Sequence, residues 1–354
     1  MPDALILDQF LKRYVERRLP RLQGPTKGEV KMVVPLTGVM SLVRLIEVGG
    51  VPRAVIRVYP DSQADLVDRR LRADALVETH GLNAPRLIDV HESRRTGLVA
   101  IVEEYLQGTH PEPKDLDTPR VEALADAVAG LHAVRAGHFG PLGAESRGDF
   151  SAEARRMVRN RWRSVRRWAA TQSRAAPAPI DGASRRLAKK WFRAFARRFA
   201  DLKEFSLIHD KPNRGNLIFQ TDPLRCVFVD LSTLRYGHPA KDLVQICHEI
   251  LGGSARWIET FLTRYFAQAA HCDRADYEAL APFYHAYYHL GQCAINCRRE
   301  AKRSGSLEHF ERGCGSGERD LGSRLVAKSV DHWQKLLRVL EKHPLAGGEM
   351  RGEG

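Results

Sequence analysis

Apolar residues come in two rhythms along this chain. Between Val33 and Tyr59 they form three short runs, MVVPL, SLVRLIEV and AVIRVYP, broken at Thr37-Gly38 and at Gly49-Gly50. Short runs of this kind bounded by glycine predict a twisted antiparallel sheet. Pro85–Val90 and Leu98–Glu104 read as two further strands around the polar turn ESRRTG. A helical spacing predicts a helix over Asp65–Thr79, ending before Gly81, and an amphipathic helix in MPDALILDQFLKRYVERRLPRL. Beyond Gly108 the spacing is mostly helical. One hairpin interrupts it, with strands at Leu217–Phe219 and Cys226–Val229 joined by the turn-forming QTDP. The expected organisation is α+β and bilobal. Residues 1–30 form a helix and linker, 31–108 a small antiparallel-sheet N-lobe, 109–342 a larger, mostly helical C-lobe, and 343–354 a disordered tail.

Composition narrows the class. At 354 residues the chain can bury a sizeable core in each of two lobes. No apolar run approaches the roughly 20 residues that span a bilayer, and the N-terminus lacks the long apolar region of a signal peptide. Six cysteines, all from Cys226 onward, show no disulfide-scaffold spacing. Reduced thiols and a cytoplasmic location are the expectation.

The net charge is +13, and its placement says more than its sum. Arg155–Arg198 holds fifteen Lys or Arg residues, including RRMVRNRWRSVRRW and RRLAKKWFRAFARRF. The spacing predicts two surface helices with solvated basic faces, separated by a loop at Ala175–Gly182. Such faces also suit an anionic substrate or an acidic membrane surface. Nothing in the chain points to nucleic acid: it has no zinc finger, basic zipper or aromatic RNA-binding signature. On another helix His285, His289, Cys293 and Cys297 recur every four residues. One helix cannot close a tetrahedral site with all four, so a metal there would need His271 or Cys272 as well. Packing is the expectation.

The chemistry concentrates between His209 and Asp230, in HDKPNRGNLIF and VFVDLS. The hairpin would bring Asn216 and Asp230 together. Their amide and carboxylate oxygens are hard ligands, suited to Mg²⁺ bridging nucleotide phosphates.

With these residues the chain resembles the aminoglycoside phosphotransferase and choline kinase-like family, relatives of the protein kinases. IVEEYLQG (Ile101–Gly108) resembles the strand and hinge that hold adenine. LADAVAGLHAV (Leu124–Val134) resembles the helix ending in Leu-His. LIHDKPNRGNLIF resembles the catalytic loop, and VFVDLSTLRYGHPAKDL (Val227–Leu243) the metal-binding segment with its Gly-x-Pro-x-x-Asp-Leu. The resemblance implies a protein-kinase-like fold with ATP between the lobes, and Mg-assisted transfer of the γ-phosphoryl group to a hydroxyl of a small, possibly anionic, molecule. It implies metal ligation by Asn216 and Asp230, phosphate contacts from Arg57 and from Thr37, Gly38 and Ser41, and adenine held by the backbone of Glu103, Glu104, Tyr105 and Leu106. His209 and Asp242 would brace the loop from behind. A helix carboxylate, Asp68, Asp74 or Glu78, would pair with Arg57.

Two positions depart from the family pattern His-x-Asp-x-x-x-x-Asn. Lys211 stands where the catalytic Asp belongs, and Asp210 sits one residue early. Arg57 replaces the usual phosphate-binding Lys, and its planar fork is not equivalent to an ammonium. Asp210 is the best available base, reached through a shifted loop; Lys211 would instead stabilise the charge of the transferring phosphate. The alternative is a nucleotide-binding pseudokinase with a regulatory or scaffold role. The acceptor, the choice of ATP or GTP and the oligomeric state stay open at this level.

Overall fold

The structure, a computed structural model, describes residues 4–18, 30–33, 42–60, 63–171, 181–269, 272–307 and 317–345. Five strands, β1 (Val30–Val33), β2 (Leu42–Val48), β3 (Val51–Pro60), β4 (Leu87–Ser93) and β5 (Leu98–Glu104), form one antiparallel sheet in the order β1-β2-β3-β5-β4. Gly49 and Gly50 turn β2 into β3 with φ of 59° and 77°, a two-residue loop that needs positive φ at both positions.

The period of two sorts the sheet's side chains onto two faces. Ala54, Ile56 and Val58 of β3, with Leu98, Ala100 and Val102 of β5, face helix α1 (Ala4–Arg17), which buries Phe10, Leu11, Tyr14 and Val15 against them. Asp89 of β4 secures α1 by accepting from Tyr14 Oη at 2.7 Å and Arg18 Nε at 2.8 Å. On the opposite face Tyr59, Val99 and Ile101 pack on Val67 of α2 (Ala64–His80). Arg57 and Glu103 share the parity of Tyr59 and Ile101, so they too look toward α2.

The C-terminal part is mostly helical. Its α3 (Thr118–His132), α4 (Phe150–Thr171), α5 (Gly182–Phe195), α6 (Ala240–Glu249), α7 (Ala255–Gln268), α8 (Arg274–Leu307) and α9 (Gly317–Lys342) surround a large apolar core. Inside it lie two small sheets. One is the hairpin β9 (Leu217–Thr221) and β10 (Leu224–Phe228); the other joins β6 (Arg135–Ala136), β8 (Phe205–Ile208), β11 (Arg235–Gly237) and β7 (Gly140–Pro141). No described helix is long and apolar enough to cross a membrane.

The α8 histidines pack, as the spacing suggested, against neighbours. His248 Nε2 of α6 lies 2.9 Å from His285 Nδ1, and His289 Nδ1 lies 3.2 Å from His332 Nδ1 of α9. Cys293 donates to the Ser329 carbonyl at 3.1 Å. Among the described residues no group of three His, Cys, Asp or Glu is arranged to hold a metal; His271 lies outside those residues, as does the side chain of Cys297. Burial pushes the pKa of His248 down to about 3, of His285 to about 4 and of His289 to about 2, and lowers that of His332. Positive neighbours add to the effect, including Lys335 beside His248, His289 and His332. Folding therefore favours the neutral rings. The stability they contribute is intact above the unfolded-chain pKa near 6.5 and is lost as pH falls below it. The slope is about 1.4 kcal/mol per pH unit for each ring that stays neutral. A urea midpoint that is level from pH 7 to 8 and declines steadily from 6.5 to 5 is the expected result; a midpoint level down to pH 5 would show that the cluster accepts protons without strain.

Candidate active site

The strand β8 ends at Ile208, and the next residue, His209, is fully buried. Asp242, in the first turn of α6 and 1% exposed, accepts from two successive amides, His209 N at 2.6 Å and Asp210 N at 3.0 Å. Two charge-assisted bonds to a buried carboxylate fix the start of the loop. His132, at the end of α3, lies 3.5 Å from the same carboxylate and 2.9 Å from Tyr265 Oη. The His209 ring stacks on Phe228 and places Nε2 2.8 Å from the Val229 carbonyl. Thr233 Oγ1 sits 3.2 Å from its Nδ1. Both ring nitrogens are thus engaged with the chain around Asp230, which suits a brace and not a proton carrier.

Asp210 adopts φ 69°, a left-handed conformation that Asp tolerates better than most residues. Its side chain is turned toward α6 and β11: Lys241 Nζ contacts Oδ1, and Arg235 Nε lies 3.6 Å from it. Burial raises the Asp210 pKa, but Lys241 and then Arg235 outweigh it and hold the carboxyl down to about 2. Arg235 in turn donates to Glu153 Oε1 of α4 at 2.8 Å. Lys211 is exposed, and its carbonyl is the hub of the loop. It accepts from Asn213 N at 2.8 Å and from Asn216 Nδ2 at 2.9 Å.

Orienting Asn216 through Nδ2 leaves its Oδ1 for a ligand. Val229 N donates to the Asn216 carbonyl at 2.9 Å, and Leu217 pairs with Phe228, so Asn216 and Asp230 flank one end of the hairpin. Asp230 also has left-handed backbone, φ 61°. Ser232 Oγ donates to its Oδ1 at 3.0 Å, leaving Oδ2 open. Two hard oxygen donors, with both nitrogens of the nearby His209 ring already engaged, fit Mg²⁺ completed by phosphate oxygens.

Arg57 departs from the expected pairing. Its Nε donates to Glu103 Oε2 at 3.1 Å, not to a helix carboxylate. Val55 pairs with Glu103 across β3 and β5, so Arg57 is its diagonal neighbour on the same face. The helix contributes a cation instead: Arg70, 2% exposed, donates to Glu103 Oε1 at 2.7 Å. Asp74 pairs with Arg70, Asp68 with Arg72, and Glu78 forms no ion pair among the described residues. Burial presses Arg57 toward neutrality, but Glu103 and then Asp230 more than offset it and raise its pKa. Glu103→Gln leaves Arg57 without its carboxylate and Arg70 with only Asp74, at 3.4 Å, as a carboxylate partner. A loss of about 3–5 kcal/mol is expected, as when one partner of a buried pair is removed. Urea denaturation measures it; a loss under about 1 kcal/mol, no more than an exposed pair contributes, would show the cluster to be well solvated.

Glu103 therefore acts through its side chain, a role the hinge assignment did not foresee. The Glu104 and Tyr105 amides are also taken, by the carbonyls of Arg86 at 2.9 Å and Arg53 at 3.2 Å. Pairing along the sheet edge thus occupies these two amides and not the carbonyls of Glu104 and Tyr105. The Leu106 amide has no partner among the described residues. Thr37, Gly38 and Ser41 lie outside those residues. Sequence reasoning missed Arg70, Glu153, Arg235 and Lys241. The last two sit inside the recognised segment Val227–Leu243, but only the folded chain shows what they touch.

No curated protein matches the chain. Solved structures do. The microcompartment-associated aminopropanol kinase superposes with a TM-score of 0.61 at 15% identity, covering 97% of this chain and 99% of that one. The choline kinase LicA from Streptococcus pneumoniae gives 0.58 at 15% identity, with 94% and 100% covered. The aminoglycoside phosphotransferase APH(4)-Ia gives 0.56 at 14%, with 94% and 99% covered; a thermostable mutant of it, in ternary complex with AMP-PNP and hygromycin B, gives 0.55 at 15%, with 91% and 98% covered. At these identities the likeness is one of fold, a protein-kinase-like fold with a small antiparallel sheet and a mostly helical second part. The model of the phosphotransferase enzyme family, described as APH, matches residues 35–283, well over half of the chain, and to that family the chain belongs.

Proposed function

We propose that this phosphotransferase moves the γ-phosphoryl group of ATP to a hydroxyl of a small molecule, with Mg²⁺ at Asn216 and Asp230. The observation that carries the reading is the placement of Asn216 and Asp230 at one end of a hairpin, with the Asp230 charge felt by Arg57. Bound Mg²⁺ would neutralise the phosphates and hold them in line. Arg57 would grip phosphate oxygens, kept in place by Glu103 and Arg70. The Leu106 amide would meet the adenine edge. The ionised Asp210 carboxylate would accept the hydroxyl proton or orient that oxygen. Similar structures named as aminopropanol and choline kinases, and one in ternary complex with AMP-PNP and hygromycin B, support a small hydroxylated acceptor. Incubation with Mg-ATP and a panel of small alcohols, followed by ADP release, tests the reading; ATP binding without transfer to any acceptor and without hydrolysis overturns it.

A second reading is favoured by one observation. Lys211 stands where the family pattern has its catalytic Asp, while Asp210 is paired with Lys241 and Arg235. A pseudokinase that binds nucleotide would look like this.

A peripheral contact with acidic surfaces is a separate matter of charge. Helix α5 buries Trp191, Phe192 and Phe195 and exposes Arg186, Lys189, Lys190 and Arg193. Sedimentation with phosphatidylserine vesicles at 50 mM salt, fading above 150 mM as charges are screened beyond about 8–10 Å, is the expected result. Equal binding to neutral vesicles would remove the electrostatic account.

A further inference from the structure

Beside the catalytic loop lies a polar cluster built from five elements. Helix α4 supplies Glu153 and Arg161, the loop Asp210 and Lys211, β11 Arg235, α6 Lys241, and α8 Tyr287. Its two carboxylates are already matched. Glu153 accepts from Arg235 Nη2 at 2.8 Å and from Arg156 Nε at 2.6 Å. Asp210 holds Lys241 and Arg235. Arg161 and Lys211, by contrast, form no ion pair among the described residues. Arg161 Nε reaches only the Tyr287 hydroxyl, at 3.3 Å, and its Cζ stands 5.5 Å from the centre of that ring. Lys241 Nζ stands 5.9 Å from the same centre.

This arrangement discriminates between classes of acceptor. An ammonium-bearing alcohol needs an open carboxylate or an uncovered aromatic face. Neither is on offer: both carboxylates are neutralised, and the Tyr287 ring already carries two cations. A negatively charged group meets the opposite situation. It finds Arg161, which forms no ion pair among the described residues, and it can also compete with Asp210 for Lys241. Such competition would loosen Asp210 as the acceptor arrives.

We propose that the acceptor of this enzyme carries its own anionic group, a phosphate or a carboxylate, bound between Arg161 and Lys241 at the rim of Tyr287. The proposal rests on the kinase reading above. Four probes with one three-carbon frame test it: glycerol, 3-amino-1,2-propanediol, glycerate and glycerol 3-phosphate. Binding of each to the full chain is measured by calorimetry at low and physiological salt, and phosphoryl transfer by ADP release. The anionic probes should bind at least about tenfold tighter than glycerol, as charge-assisted bonds do, and the preference should shrink with salt. The comparison of glycerate with glycerol 3-phosphate decides which anion the site takes. Arg161→Gln should remove most of the preference while Mg-ATP affinity stays as in the wild type. Lys241→Gln serves as a second variant, with circular dichroism to confirm that each is folded. Tighter binding of the amino alcohol, equal binding of all four, no binding of either anion, or an unchanged preference in both variants overturns the proposal. Efficient phosphorylation of the amino alcohol sinks this inference and leaves the kinase reading standing; a wild type that binds ATP but neither hydrolyses it nor phosphorylates any acceptor removes the kinase reading and the inference with it.

Discussion

Asp230→Asn is expected to lower Mg-dependent phosphoryl transfer by two to three orders of magnitude or more, the order of loss when a transition state is deprived of one preorganised electrostatic partner. The substitution isolates charge. Asn tolerates the left-handed backbone that Asp230 adopts, φ 61°, about as well as Asp does. Its amide oxygen can still accept from Ser232 Oγ, and the Thr233 amide still meets the residue's carbonyl at 3.2 Å. The turn after β10 should therefore keep its path. What changes is the negative charge that would hold Mg²⁺ and that also stabilises Arg57 in its charged form. Titration of the folded variant with ATP, with and without magnesium, measures the loss. Wild-type affinity and turnover in the presence of magnesium would remove Asp230, and with it the hairpin, from the site.

The parts of this site that were legible in the sequence are those built from neighbours in the chain. The β9–β10 hairpin needs only two apolar runs and a turn, and its ends bring Asn216 and Asp230 together. The Asp242 carboxylate could be expected to need partners because a buried charge is costly without them; the structure supplies the amides of His209 and Asp210. What could not be read depends on which strand lies beside which. Arg57 finds Glu103, 46 residues away, because β3 pairs with β5 and puts both on one face. Helix α2 then meets that carboxylate with Arg70, which inverts the expected charge order. The same holds for Asp210. Its sequence neighbours say that it is one residue early, but its direction is set by its positive φ and by Lys241, 31 residues on.

The contest between enzyme and pseudokinase turns on that carboxylate. Lys241 and Arg235 keep it ionised, with a pKa pulled down to about 2, so it is an acceptor at any physiological pH. A kinase asks little more of its Asp than to orient the attacking hydroxyl. If Asp210 does so, Asp210→Ala should lower kcat by about 10²–10⁴, the range for a positioned general base, with ATP affinity nearly unchanged. Ala is strained at φ 69°, at a cost of about 1–2 kcal/mol. Asp210→Asn, which tolerates that backbone, should therefore accompany it and show a comparable loss of kcat. Lys211→Ala should be milder, since Lys211 is exposed and its structural contribution runs through its carbonyl, which Ala retains. Equal turnover in the wild type and both Asp210 variants would deny Asp210 the role. A wild type that binds ATP yet neither transfers nor hydrolyses its phosphate would make Lys211 the mark of a pseudokinase, with Asp210 serving only to anchor Lys241 and Arg235.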